Sequence, residues 1–472
     1  MKVIHLSVEC FPIAKVGGLA DVVGALPKYQ RKLGIDASVV MPYYNRPFVT
    51  ENALLNVYEG SFSQGDEILA YTVWKEQYDT LGFPVYLIYI EGKLDRPEVY
   101  CYPDEAEQWM AFQHAFLDWI VNTDNKPDLI NCHDHHVGLV PFLIKYAYSF
   151  QSLAGIKTVF TVHNGQYQGW LSWDKAHLLP SFDGYHGGLL DWDGVINPMA
   201  TALKCCDRYT TVSEGYLEEL FVEANGLQDL FKHERAKAIG IVNGIDVEFW
   251  DPAIDQLLPL NYTSTTVKKG KEQNKKIFCE KVGLPFDIPL LSYIGRFAFE
   301  KGADLLPELI REMYSLNENK IAIFILGSGD DIIQGEIANI IQLYPNQVSV
   351  FFGYNESLAH EVYAASDMLI MPSRVEPCGL NQLYALQYGT IPIVRNIGGL
   401  KDTVIDIDHD NGYGFVFEEL DIKNISLTIN RAISVFNIPK SLENIRGKAM
   451  KLDFSWDKSA KKYVALYNQL LK

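Results

Sequence analysis

Short runs of Val, Ile and Leu recur along this chain, and many lead into stretches whose apolar residues fall every three or four positions. The first run, Val3 to Val8, leads through Lys15-Val16-Gly17-Gly18 into a stretch with Leu19, Val22, Val23, Leu26 and Leu33 on one face. That spacing predicts a helix, Gly34 suits its C-terminal end, and Ala37 to Met41 reads as the next strand. The pattern returns at Leu290 to Ile294, followed by Gly295-Arg296, Lys301-Gly302 and a face of Leu305, Leu306, Leu309, Ile310 and Met313. Ile321 to Leu326 then reads as a strand closed by Gly327-Ser328-Gly329. Four further predicted strands end in polar residues: Leu129 to Cys132 before His133, Thr158 to Val162 before His163, Tyr209 to Val212 before Ser213, and Ile239 to Val242 before Asn243. In the second half, Val348 to Phe352, Met368 to Met371 and Ile391 to Val394 are read the same way.

Continuous apolar strands alternating with amphipathic helices predict parallel sheets covered on both faces. Two such series predict an α/β chain of two doubly wound, Rossmann-like domains, with the interdomain cleft as the default ligand site. Residues 1–250 are expected to form the first domain and 251–472 the second, with the boundary near Asp246 to Pro252. Asn261 to Lys276 is polar and Lys-rich, and reads as an exposed loop or helix start. The last helix is expected to begin near Ser455, run through Tyr463 and Tyr467, and pack back on the first domain.

Composition narrows the partners. A chain of 472 residues exceeds one core, in keeping with two domains. Its formal charge of −18 argues against nucleic acid as a main partner, although local cations can still meet an anionic ligand. No apolar run is long enough to span a bilayer, and the N-terminal run is too short for a signal peptide, so no membrane partner is expected. Seven cysteines without paired spacing fit reduced thiols and a cytoplasmic location.

The candidate chemistry sits at strand ends. Arg374-Val375-Glu376-Pro377-Cys378-Gly379-Leu380 follows a buried-type strand and leads into a helix through Leu383 and Leu386. Ligands of open α/β sheets bind outside the carboxyl ends of strands, and helix starts present N–H groups. The plain alternative is a loop with a surface Glu. Arg296 and Lys301 flank a second loop, where a fork and a point charge suit a diphosphate. Cations near a positive helix end are misplaced unless an anion joins them. Lys15 and the Gly17-Gly18 pair precede a helix, an arrangement that suits an anion or merely a tight turn. There is no G-x-G-x-x-G and no G-x-x-x-x-G-K. His133-Asp134-His135-His136 has metal-ligand residue types, but adjacent strand-end residues point apart and rarely ligate one ion together; Asp134 as acceptor for a sugar hydroxyl and structural capping are the other readings. His163-Asn164 reads as polar ligand contact or capping, and Asn243-Gly244 as a turn or a ligand contact.

Taken in order, these segments resemble bacterial glycogen synthases and plant starch synthases, retaining glucosyltransferases of the GT-B fold. The likeness runs from Glu9 to Pro12 and Lys15-Val16-Gly17-Gly18-Leu19-Ala20-Asp21-Val22, through Cys132-His133-Asp134-His135-His136 and His163-Asn164-Gly165-Gln166-Tyr167-Gln168-Gly169, to Asn243-Gly244-Ile245-Asp246. It continues with Gly295-Arg296, Lys301-Gly302-Ala303-Asp304-Leu305, Gly353-Tyr354, Glu376-Pro377-Cys378-Gly379-Leu380-Asn381-Gln382, Gly398-Gly399-Leu400-Lys401-Asp402-Thr403 and Asp453-Phe454-Ser455-Trp456. Each segment is short; the ordered set is specific.

The resemblance implies transfer of glucose from ADP-glucose to the 4-hydroxyl at the non-reducing end of an α-1,4-glucan, with retention and without metal or cofactor. UDP-glucose as donor and a catalytically silent glucan-binding scaffold are the alternatives. By the same likeness, Arg296, Lys301, Glu376 and His163 are the catalytic set. Arg296 and Lys301 hold the diphosphate, Glu376 holds the glucosyl unit, and His163 lies against the reacting carbon. Lys15, Gly17 and Gly18 face phosphate and sugar from the first, acceptor-side domain. Backbone N–H groups at Cys378, Gly379 and Leu380 meet hydroxyls or phosphate. Asp21, Asp134, Asn164 and Asn243 line the sugar or acceptor, and Tyr354 stacks near the base. The chain departs from the family pattern at Val16 (Thr), His135 (Trp), Asn381 (Thr) and Asn197-Pro198-Met199-Ala200.

Overall fold

Every residue from Val3 to Leu6 is buried, because strand β1 (Lys2–Leu6) is flanked by strands on both sides and covered on both faces. The computed structural model describes residues 1–124, 126–317 and 321–472. They fall into two compact units, Met1–Gly244 with Trp456–Lys472, and Ile245–Ser455. The divisions thus follow Gly244 and Ser455, where the sequence reading set one boundary after residue 250. The reason is local. Ile245 donates its N–H to the Phe454 carbonyl at 2.8 Å, and Trp250 stacks on His360 at 3.7 Å and Tyr384 at 3.9 Å, all within the second unit.

The first unit's main sheet has nine strands. They are β1, β2 (Asp36–Pro42), β3 (Leu54–Gln64), β4 (Glu67–Glu76), β5 (Val85–Tyr89), β6 (Leu129–His133), β7 (Lys157–Val162), β10 (Arg208–Thr211) and β11 (Ala238–Gly240). A separate small hairpin joins β8 (Asp191–Trp192) and β9 (Val195–Ile196). The main order is β11-β10-β7-β6-β1-β2-β5-β4-β3. The chain winds from β1 outward through β2, then returns to β6 and winds the other way. The β1/β6 pair is therefore a topological switch point, where ligands of doubly wound sheets bind. The antiparallel β3–β4 hairpin lies at one edge; its half-exposed strands lack the continuous apolar run that marks the parallel ones.

The last helix, Trp456–Leu470, belongs to the first unit. Trp456, Tyr463 and Tyr467 are buried against Leu26 and Tyr29 of the first helix, Gly18–Lys32, and against Val3 and Leu129 of the sheet.

The second unit has an all-parallel sheet of β12 (Leu290–Ile294), β13 (Ala322–Gly327), β14 (Val348–Phe352), β15 (Met368–Met371), β16 (Ile391–Arg395) and β17 (Phe415–Phe417), in the order β14-β13-β12-β15-β16-β17. Its switch point is the β12/β15 pair. The Lys-rich segment runs into the helix Val267–Val282, the helix start of its two readings, but two of its lysines are buried rather than exposed. Lys271 Nζ donates to the carbonyls of Tyr363, Ala364 and Tyr388 and to Thr390 Oγ1, at 2.7–3.2 Å. Lys275 and Arg446 pair with the two oxygens of buried Asp367 at 2.6 Å each. A buried ammonium with all its donors used is tolerated where a lone one is not.

Candidate functional site

In the second unit, the loops leaving β12 and β15 are laced together. Lys301 Nζ donates to Glu376 Oε1 at 2.6 Å, and Ser373 Oγ donates to Glu376 Oε2 at 2.9 Å. Glu376 is only 6% exposed, so its charge is held by an ammonium and a hydroxyl. Arg374 forks onto Asp304 at 2.6 and 2.8 Å and lies over the Phe299 ring at 3.6 Å. Its amide donates to the Glu300 carbonyl at 2.8 Å. Gly302 is required here: its φ is +68°, and a Cβ would fall 1.9 Å from the Pro372 carbonyl oxygen. Arg296 reaches outward, its guanidinium 2.8 Å from Glu300 and its side chain 49% exposed.

The segment after Glu376 is fixed from below. Gln382 Nε2 donates to the carbonyls of Cys378 and Gly379 at 2.9 Å, and Asn381 Nδ2 to that of Ile294 at 2.7 Å. Gly399 allows another close approach, since a Cβ there would sit 2.2 Å from the Cys378 carbonyl oxygen. Leu380 directly precedes the helix Asn381–Gln387. Tyr354 follows β14 with its ring 67% exposed, and its hydroxyl contacts Glu356.

The first unit builds its switch point from different groups. Glu9, just past β1, accepts the N–H groups of Val16 and Gly17 on Oε2 at 2.6 and 3.0 Å, and the Tyr100 hydroxyl on Oε1 at 2.6 Å. Lys15 pairs with Asp21 at 2.8 Å. Thus the Gly17 amide and the Lys15 ammonium, read as anion contacts, are engaged here by side chains of the same loop and helix. Gly18 opens that helix.

At the end of β6, Asp134 adopts φ +61° and turns its carboxylate toward β7. Its Oδ1 accepts the N–H of His163 at 2.7 Å and that of Asn164 at 3.4 Å. Burial pushes the Asp134 carboxyl up to about 7 even against those two amide bonds. This carboxylate, read as a partner for a sugar hydroxyl, spends one oxygen on holding the His163 backbone.

The four residues from His133 to His136 take separate partners. His133 joins a buried row of rings. Its Nδ1 is 2.9 Å from His163 Nε2, and its Nε2 is 3.0 Å from His5 Nδ1. His5 Nε2 is 2.8 Å from Gln30 Oε1. His135 and His136 lie against each other with centroids 3.8 Å apart and planes tilted by 35°, and His136 stacks on Tyr100 at 5.2 Å. Among the described residues no group of three His, Cys, Asp or Glu side chains is arranged to hold a metal ion. Burial lowers His5 to about 4 and His163 to about 3, so both rings are neutral near pH 7. Asn243, past the last strand of this sheet, keeps a buried side-chain oxygen without a protein partner.

Sequence reasoning therefore missed Glu9 as the holder of the Gly17 loop, Ser373 as a partner of Glu376, the pairing of Arg374 with Asp304, and the row behind His163. A His or Glu inside an apolar strand run, as at His5 and Glu9, was the available signal.

A family model described as the starch synthase catalytic domain matches residues 2–233, and one described as glycosyl transferases group 1 matches residues 274–449. The chain is 46% identical to a glycogen synthase of Flavobacterium johnsoniae over 472 residues, covering 100% of both. It is 37% identical to a glycogen synthase of Geobacillus stearothermophilus, covering 100% of this chain and 98% of that one. The catalytic domain of starch synthase IV from Arabidopsis thaliana, solved bound to ADP and acarbose, superposes with a TM-score of 0.90 at 30% identity, covering 99% of each chain. A sucrose-phosphate synthase from Thermosynechococcus elongatus shares the fold, with a TM-score of 0.65 at 17% identity over 99% of this chain and 98% of that one. No helix among the described residues is long and apolar enough to cross a membrane.

Proposed function

The chain belongs to the glycogen synthase family, glycosyltransferases of the GT-B fold, and from that premise we propose that it extends an α-1,4-glucan with glucose taken from ADP-glucose, retaining the anomeric configuration. The observation that carries this reading is the Lys301–Glu376 pair at the switch point of the second sheet, with Arg296 on the same loop as Lys301.

The chemistry asks for such a set. When the bond from C1 to the phosphate oxygen breaks, its electron pair goes to the nucleoside diphosphate. The 4-hydroxyl oxygen of the acceptor bonds to C1, and its proton passes to the departing phosphate oxygen. Negative charge grows on phosphate, and fixed cations aimed there lower the barrier. We assign that work to Lys301 and Arg296. Glu376 holds the glucosyl hydroxyls, with the N–H groups of Cys378, Gly379 and Leu380 as further donors. Tyr354 offers an exposed ring to the base.

The first unit is assigned the sugar and acceptor side. His163 lies against the reacting carbon, where a neutral ring and a carbonyl steady positive charge. Asp134 holds that residue in place. Asn164, Asn243 and Asp21 contact sugar hydroxyls, and Lys15, Gly17 and Gly18 approach the donor. Gly17 has φ −142° and no atom within 4 Å of a built Cβ, so neither backbone strain nor protein packing calls for glycine there. The open space suits close approach of a ligand, beside the place of Gly17 as the N-cap of that helix. The seven free cysteines suit a reducing, cytoplasmic setting.

Purified protein incubated with glycogen and either ADP-glucose or UDP-glucose tests the reading. Release of ADP with chain extension is the expected result. Extension from UDP-glucose alone would replace the donor. Glycogen binding with neither donor consumed would leave a silent scaffold.

A further inference from the structure

We propose that His5 and His133 are positioning residues that fix which ring nitrogen of His163 carries its proton, with Gln30 setting the order at the far end of the row. The inference rests on the reading of His163 as the ring against the glucosyl carbon.

A neutral imidazole has one N–H and one bare nitrogen. Where rings meet nitrogen to nitrogen, each contact must join an N–H to a bare nitrogen. The three protons are then not independent: the row has two orders, and one end decides between them. His163 Nε2 meets His133 Nδ1 at 2.9 Å, His133 Nε2 meets His5 Nδ1 at 3.0 Å, and His5 Nε2 meets Gln30 Oε1 at 2.8 Å. All three rings are buried, and burial keeps them uncharged: His133 is driven well below the usual histidine value, as His5 and His163 are.

The Gln30 oxygen can only accept. It therefore requires the proton of His5 on Nε2 and leaves His5 Nδ1 bare. His133 must then carry its proton on Nε2, and His163 on Nε2 as well. The Nδ1 of His163 is left bare. The carboxamide is held in this sense from behind. Gln30 Nε2 faces the Tyr467 hydroxyl at 3.4 Å, which donates to Asn131 Oδ1 at 2.8 Å. Turning the Gln30 carboxamide over would reverse every proton in the row. One neighbour favours that reversal: Asn131 Nδ2, which donates to Thr161 Oγ1 at 2.8 Å, also lies 3.2 Å from His133 Nε2. In the order set by Gln30 this last approach is contact without a hydrogen bond.

The order matters because of what His163 offers. A bare Nδ1 presents a lone pair, which accepts from a sugar hydroxyl and attracts a carbon gaining positive charge. The opposite tautomer presents an N–H, which repels that charge. The row thus carries information from a helix residue, Gln30, through β1 and β6 to the ring after β7. The last helix supplies the brace through Tyr467. A row kept only because buried polar groups need partners would affect stability and nothing else.

Nitrogen shifts of full-length protein labelled with 15N-histidine, recorded without substrate, test the order directly. The His163 signals are identified by their loss in His163→Gln. A bare-nitrogen shift at His163 Nδ1 is expected, and a protonated Nδ1 would overturn the proposal. His5→Phe keeps a ring stacked on His133 but removes the acceptor, which leaves Asn131 Nδ2 to donate to His133 Nε2. The His163 tautomer should reverse, and kcat should fall ~10–100-fold, the size of one hydrogen bond to a charged group, with the donor KM within about twofold. His5→Asn restores an acceptor oxygen near the position of Nδ1 and should keep kcat within roughly threefold of wild type. Equal losses in both variants, or a changed unfolding midpoint with unchanged tautomer and kcat, would overturn it. Gln30→Met applies the same criteria from the far end should His5→Phe not fold; a mixture of tautomers is expected. A wild type that transfers no glucose would end the functional reading, while the nitrogen shifts would still decide this one.

Discussion

At the first sheet's switch point the buried row behind His163 is made of neutral rings and amides, whereas the second sheet's is built on ion pairs. His5, His133 and His163 are uncharged and join end to end, while Lys301–Glu376, Arg374–Asp304 and Arg296–Glu300 oppose full charges. Both follow the same topological rule, and the proposed tasks account for the difference. A leaving diphosphate needs fixed positive charge, and charge must be balanced until the ligand arrives. A sugar carbon gaining positive charge needs lone pairs and no competing cation. Asp134 is the exception that fits: it lies close to the neutral row, and its burial raises its carboxyl to about 7.

The comparison breaks most sharply at Lys301. Lys301→Met would remove the proposed diphosphate contact and leave buried Glu376 with the Ser373 hydroxyl in place of the ammonium–hydroxyl pair. Loss of one such charge-stabilising group costs ~100–1,000-fold in kcat. Stability should fall too, because an unpaired buried carboxylate is costly. Adding Glu376→Gln should restore the unfolding midpoint and leave activity low. Steady-state kinetics beside thermal unfolding separate the two effects. Activity within a few-fold of wild type in Lys301→Met would remove the assigned role.

The next effect belongs to the first unit. Trp456 is nearly fully buried against the first helix and sheet, and Trp456→Ala should cost ~3–5 kcal/mol. Calorimetry should show that loss in the first unit's transition, with the second unit's transition unmoved. A matching shift of both would mean that the units do not unfold separately.

Acid sharpens the contrast. His5, His114 and His135 are lowered to about 4 and His163 to about 3, with His133 and His136 well below the usual value, all by burial. The sign follows from proton counts. Between the folded values and about 6.5 the unfolded chain binds these protons and the folded one does not. Stability from these groups is therefore full above pH 6.5 and falls as pH drops, by at most ~1.4 kcal/mol per pH unit for each histidine. Asp134 acts oppositely, since its folded value is raised, and it gains stability as pH falls through about 7 toward 3.8; Glu105, also raised by burial, acts in the same sense, two carboxyls against six histidines. In the second unit, burial raises the carboxyl of Asp367, but Lys275 and Arg446 outweigh that and hold it low. Its stabilisation is present above its unfolded value of about 3.8 and is lost only below it. Unfolding followed from pH 7 to 4.5 should weaken the first unit and spare the second. The reverse order would show that the first unit's histidines are open to solvent.

Much of this was legible in the sequence, and for a physical reason. Strands buried on both faces must be continuous apolar runs, so β1, β6, β7, β12, β13 and β15 announce themselves, and the residues at their ends become the site candidates. Glu376, Lys301 and His163 were singled out as candidates that way. Partners were not, because a hydrogen bond between His5 and Gln30 joins positions that periodicity does not relate. The β3–β4 hairpin was missed because it is half exposed, and its alternating pattern is weaker than a buried run. The buried lysines of the Val267–Val282 helix were read as surface because composition alone does not reveal four waiting acceptors on Lys271.

Salt gives the smallest effect, and its size is instructive. Raising ionic strength from about 0.05 to about 0.5 M shortens the screening length from roughly 14 to roughly 4 Å. Attraction of a donor diphosphate to half-exposed Arg296 should weaken, so the donor KM should rise. But the same salt also weakens the Arg296–Glu300 pair, which competes for the guanidinium. The two changes oppose each other, and the net rise should be only about two- to threefold. Glu300→Gln removes the competitor. It should lower the donor KM at low salt and make its salt dependence steeper. His5→Asn, confined to the neutral row, should leave that slope unchanged. A slope that flattens in Glu300→Gln would mean that Glu300 assists the donor rather than competing with it, and that the second unit's ion pairs are part of the bound state.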